Sequence, residues 1–97
     1  MAIIGGIKKM NRVLVNALTR SEIAAVMSAA NFTHDQELIF KELNADVLYD
    51  IGIMAKLGIP PRRYYDTKRI TVDKTERVLK ELGYNHAIKV AKNKPPS

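Results

Sequence analysis

Between residues 62 and 69 the chain reads Arg, Arg, Tyr, Tyr, Asp, Thr, Lys, Arg. Four cations within one short segment make anion binding the first chemistry to consider. A guanidinium presents a rigid fork of N–H donors that grips paired carboxylate or phosphate oxygens, and lysine adds a compact point charge. If the segment is helical, steps of about 100° per residue set Arg62, Tyr65, Asp66 and Arg69 on one side and Tyr64 and Thr67 on the other. Tyr64 is then expected in the core, and Arg62, Tyr65 and Arg69 in solvent. Asp66 stands among them, placed either to orient an arginine or to repel a phosphate. Lys74 and Arg77 continue the basic run.

Other chemistry finds little support. His34 and His86 are the only histidines, far apart and without a clustered carboxylate, and there is no cysteine, so neither a zinc site nor a disulfide framework is expected. Gly5 and Gly6 lack the Lys-Ser/Thr of a phosphate loop and the spacing of a dinucleotide fingerprint. Met10, Met27 and Met54 fall on helical stripes and read as core filler. Tyrosine-based strand cleavage by Tyr64 or Tyr65 would need more basic residues and a larger frame. The expectation is a protein that is not an enzyme and carries no cofactor.

The segment that must position the cluster is unusually legible. Residues 51–70 read IGIMAKLGIPPRRYYDTKRI. Ile51, Met54 and Ala55 stand at helical spacing, with Leu48 a turn earlier and Leu57 at the end, so one face is expected to be buried. Gly58 follows the last apolar residue, where a left-handed cap favours glycine. Ile59 and Pro60 each precede a proline and are driven out of the α region. Pro61 suits the first position of a new helix, where its missing N–H costs nothing. Gly58, Ile59 and Pro60 thus predict a three-residue turn between two helices. This is the layout of a helix-turn-helix, whose second helix commonly lies in the DNA major groove.

From Ile53 to Ile59 the chain resembles the "I-A-x-x-L-G-I" core of Cro/repressor-type helix-turn-helix regulators. Residues 70–90, ITVDKTERVLKELGYNHAIKV, resemble the helix and tail that follow the recognition helix in many of them. Two positions depart from that pattern: Met54 replaces the small residue four places before the turn glycine, and Tyr64 the branched aliphatic six places after it. The run IG..AK..GI followed by RYYD is similar to the opening of MerR-type regulators, with shorter spacing. Residues 18–43, with Phe32-Thr33-His34-Asp35-Gln36 opening a helix, are similar in layout to small phage-type proteins with a sigma-region-4-like helix-turn-helix. All three resemblances imply DNA binding.

The rest of the chain predicts helices with readable ends. Ile7, Met10, Val13, Leu14, Ala17 and Leu18 mark a first helix over residues 7–18. Thr19 with Glu22, and Thr33 with Gln36, are capping-box pairs that open the next two. Asn44 or Asp46 is placed to cap a helix over 47–57. Residues 61–70 form the next, and Asp73 with Glu76 opens a last one that Gly83 stops. Residues 87–92 read either as a short strand or as a docked tail. The expected fold is a small all-α bundle containing a helix-turn-helix, one domain over residues 1–91, with a disordered tail at 92–97.

Charge supports the same reading. The chain's net charge is +6, with five basic against six acidic residues in 1–50 and eleven against four in 51–97, so the halves carry −1 and +7. The positive charge coincides with the turn motif, which favours a polyanionic partner over a merely solvated face. The start MAIIGGI is too short and too broken by glycine for a signal-peptide core or a membrane span, and a soluble cytoplasmic protein without a membrane partner or small-molecule substrate is expected. The expected function is sequence-specific binding of double-stranded DNA by a transcriptional regulator of phage or mobile-element type. Arg62 and Arg69 would fork onto guanine edges, Tyr65 would meet a thymine methyl or a phosphate, and Arg63, Lys68, Lys74 and Arg77 would hold phosphates. A homodimer on a two-fold site is expected, joined through residues 7–18. The rival expectation is a protein-binding module, a phage-type inhibitor or adaptor whose basic face grips an acidic partner.

Overall fold

The structure is a computed structural model and describes residues 14–84, 86, 88 and 89. Four helices follow in order: α1 (Arg20–Ala29), α2 (His34–Ala45), α3 (Asp50–Leu57) and α4 (Pro61–Leu82). Residues 14–16 are also helical, as are 86, 88 and 89, and no strand occurs among the described residues. The all-α bundle is as expected, and the described residues of the 87–92 segment are helical rather than extended. The tail at 92–97 and residues 7–13 of the expected first helix lie outside the described residues.

Local chemistry sets most of the ends. The Thr19 hydroxyl accepts from the Glu22 amide at 3.2 Å, and the Glu22 carboxylate accepts from the Thr19 amide at 2.8 Å. Thr33 and Gln36 repeat that exchange at 3.3 and 3.0 Å. Each box satisfies two amides that the first helical turn cannot bond itself. Asn31, past the end of α1, takes a left-handed backbone (φ 54°), which asparagine tolerates better than most residues.

Asp46 departs from its expected role. It sits in the left-handed region (φ 55°) and closes α2 rather than capping α3. Residues 47–49 are then a connector, and α3 opens at Asp50 after Tyr49, with no side-chain cap. Asn44 is also diverted: its side chain donates to the Val15 carbonyl at 3.0 Å, while the Asn16 side chain donates to the Asn44 carbonyl at 3.1 Å. This exchange joins the start of the described chain to the end of α2.

The larger correction is α4, which runs unbroken for 22 residues where two helices were expected. Tyr64, Lys68, Thr71, Val72, Thr75, Val78 and Leu79 form one buried stripe at steps of three and four. The Thr71 hydroxyl donates to the Thr67 carbonyl and that of Thr75 to the Thr71 carbonyl, both at 2.8 Å. Bonded back to the preceding turn, these hydroxyls enter the core without an unsatisfied group. Asp73 is an exposed mid-helix residue, not a cap.

The core gathers Val15, Leu18, Val26, Ile39, Phe40, Leu43, Ile53, Ile59, Val72, Leu79 and Ile88, with the Phe32 ring tilted against Phe40 at a centroid distance of 5.1 Å. Fully burying one such aliphatic or aromatic side chain contributes about 1.5–3 kcal/mol. The most extensive packing is α2 against α4, with α1 resting on α4 as well. Leu14, Val15 and Leu18 are all buried in the chain's own core. These three residues of the segment expected to join two copies are therefore already occupied, while Asn16 is exposed and Ala17 half-buried.

Candidate functional site

The turn that presents the basic cluster forms as the residue types require. Gly58 takes φ 67° and ends α3, and the Gly58 and Ile59 amides both donate to the Met54 carbonyl. Pro60 is extended (φ −62°, ψ 152°), and Pro61 takes the first helical position of α4. On α3 the inward residue is Ile53, fully buried, with Met54 and Leu57 half-buried beside it. Ile51 and Ala55, expected on that face, point to solvent. In an eight-residue helix the stripe is set by two or three positions, so a small rotation exchanges which residues face in.

Tyr64 is fully buried, as its helical position predicts, and its hydroxyl donates to Asp50 Oδ1 at 2.6 Å. Arg62, Tyr65 and Arg69 are exposed, also as predicted. Tyr65 meets Tyr64 edge-on, with centroids 5.2 Å apart. Among the described residues, Arg62 and Arg77 have no ion-pair partner, and Arg69 has a loose one in Asp66 at 3.9 Å. An exposed pair of that length contributes little and leaves the guanidinium available.

Three of the seven expected anion-binding residues are tied elsewhere. Lys68 is only 4% exposed, with its ammonium 3.0 and 3.2 Å from the two Asp50 oxygens. Withdrawn from solvent and neutralised, it is not placed to hold a phosphate. Lys74 donates to the Asn31 carbonyl at 3.1 Å and to Gln36 Oε1 at 2.7 Å, bracing the start of α2. Arg63 pairs with Asp35, also at the start of α2, through a side chain that is itself largely exposed. Arg62, Tyr65, Arg69 and Arg77 are thus the members of the set exposed on the side of α4 that faces away from the core.

A scan against family models, a search of curated proteins and a search of solved structures each found no match to this chain. The site therefore rests on its own geometry.

Asp50 is the residue that sequence reasoning missed. It falls inside the helix expected over 47–57, and nothing nearby in sequence marks it as the acceptor for Tyr64 and Lys68, 14 and 18 residues on. The exposed face also carries Asp66 and Asp73 between its arginines. Among the described residues, His34, Asp35, Glu37 and the other candidate ligands form no group of three or more that could hold a metal, and no helix is long and apolar enough to cross a membrane.

Proposed function

We propose that this chain binds double-stranded DNA through the outer face of α4 and acts as a transcriptional regulator, without catalytic activity of its own. The observation that carries this reading is the exposure of Arg62, Tyr65 and Arg69 on the first turns of the helix that follows a three-residue turn. In the proposed complex Arg62 and Arg69 reach base edges, since a guanidinium matches the paired acceptors of guanine. Tyr65 lies between them against a thymine methyl or a phosphate. Arg77, two turns beyond Arg69, holds the backbone, and Arg63 joins it on release from Asp35.

Lys68 and Lys74 act one step back, holding α4 against α3 and α2. A module this small covers few base pairs, so two copies on a two-fold site belong to the reading. The surface joining them is separate from Leu14, Val15 and Leu18, which are spent in the core.

One observation favours the second reading, a protein-binding module. Asp66 and Asp73 alternate with Arg62, Arg69 and Arg77 along the same exposed face. Mixed charge of this kind suits a protein surface better than a row of phosphates. The salt dependence of binding to random duplex separates the two. A DNA binder loses affinity steeply as salt rises, and a protein-binding module shows no duplex binding at physiological salt.

A further inference from the structure

Three cations of α4 are engaged with the rest of the chain: Arg63 with Asp35, Lys68 with Asp50, and Lys74 with Gln36 and Asn31. The ionisable residues that remain on its outer side are Arg62, Asp66, Arg69, Asp73, Glu76, Arg77, Lys80 and Glu81, all exposed except the half-buried Glu76. They number four of each sign. The helix that is most basic in sequence therefore turns a neutral, alternating face outward.

The order of these charges has a centre. Arg62 with Glu81, Asp66 with Arg77, and Arg69 with Asp73 are opposite charges whose midpoints all fall at residue 71 or between 71 and 72. Asp66 and Arg77 stand about 16 Å apart along the helix axis, beyond reach of each other within one chain. A second α4 laid antiparallel across the face, about a two-fold axis at that centre, sets each of these cations opposite an anion. A parallel copy sets like against like. The pairing inside the helix is weak enough to yield, since Arg69 and Asp66 are 3.9 Å apart and well exposed. Ile70, 42% exposed, stands beside the centre and adds an apolar contact.

We propose that two copies of this chain pair through the outer faces of antiparallel α4 helices, Asp66 of each opposite Arg77 of the other and Arg69 opposite Asp73. Such a pair is isologous, the same surface serving both copies. This inference does not depend on DNA binding. It bears on it, because the pairing covers Arg62 and Arg69 and so competes with duplex for the same face.

Sedimentation equilibrium of the full chain at low salt, without duplex, measures the pairing. Asp66→Arg and Arg77→Asp each bring like charges together twice, once on either side of the axis, and should raise the dimer dissociation constant about tenfold. Asp66→Arg combined with Arg77→Asp restores opposite charges and should return it close to the wild-type value. Asp66→Arg combined with Arg20→Asp, exposed at the start of α1, has the same net charge and should not. Far-UV circular dichroism checks the fold, and Arg69→Asp with Asp73→Arg replaces the first pair in any variant that loses it. A wild type that stays monomeric at millimolar concentration overturns the proposal. A double exchange that dimerises no better than its single variants overturns it as well, since the two positions do not then face each other.

Discussion

The Lys68 ammonium and the Asp50 carboxylate meet at 3.0 Å, with the Tyr64 hydroxyl donating to the same oxygen at 2.6 Å. Asp50 opens α3, eight residues before Gly58, and Lys68 stands eight residues after Pro60. The pair therefore ties the two helices together well away from their turn. It fixes how α4 is held, and with it the direction in which Arg62 and Arg69 point.

Removing one partner of this clasp should cost more than removing the cation and replacing its bulk. Asp50→Ala leaves the buried Lys68 ammonium without its counter-charge and is expected to lower stability by about 3 kcal/mol. Lys68→Met keeps the volume without the charge and should cost less, and adding it to Asp50→Ala should recover part of the loss. Urea denaturation of the two single variants and the double variant checks this. Strict additivity in the double variant would mean that Asp50 and Lys68 do not act as a pair.

The turn gives a backbone prediction. Nothing lies within 4 Å of where a Gly58 Cβ would stand, so a side chain there meets strain from φ 67° alone. Gly58→Val should cost about 1 kcal/mol or more, because a β-branched residue is poorly tolerated at positive φ. Gly58→Asn should be milder, since asparagine enters this region more readily. Thermal melts of the two variants should rank in that order.

Lys74 and Thr33 should be energetically coupled, because Gln36 Oε1 accepts from both the Thr33 amide and the Lys74 ammonium. Thr33→Ala is expected to cost about 1 kcal/mol as a lost helix cap. In a double-mutant cycle with Lys74→Met, the two losses should depart from additivity by about 0.5 kcal/mol or more, as neighbours in one network do. Strict additivity would show that the α4–α2 brace and the cap are independent.

What was legible in the sequence was chemistry confined to neighbouring residues. Both threonine capping boxes, the Gly58 turn, the Pro61 start and the inward place of Tyr64 depend on residues within a few positions, and each is found. The continuity of α4 was hidden because Thr71 and Thr75 are polar by type and become core residues only through bonds to their own helix. Asp73 with Glu76 offered a plausible cap that buried packing on both sides overrode. The fates of Lys68, Lys74 and Arg63 were set by Asp50, Gln36 with Asn31, and Asp35, at separations of 18 to 43 residues. Periodicity identifies which side of a helix faces out, but not which cation on it a distant acceptor will claim.

The central claim, that the exposed face of α4 reads DNA, is tested most directly by duplex affinity across a range of salt. The preferred site is first selected from a random pool, and both it and random duplex are titrated with wild type, Arg62→Ala, Arg69→Ala and Arg77→Ala. Arg62→Ala and Arg69→Ala should each cost about 1–3 kcal/mol on the preferred site and flatten its advantage over random duplex. Arg77→Ala should weaken both duplexes alike and reduce the salt slope by about one unit. All three residues are exposed, so the fold should persist in each variant. Unchanged affinity and preference in Arg62→Ala and Arg69→Ala would contradict the account and turn the same face toward a protein partner.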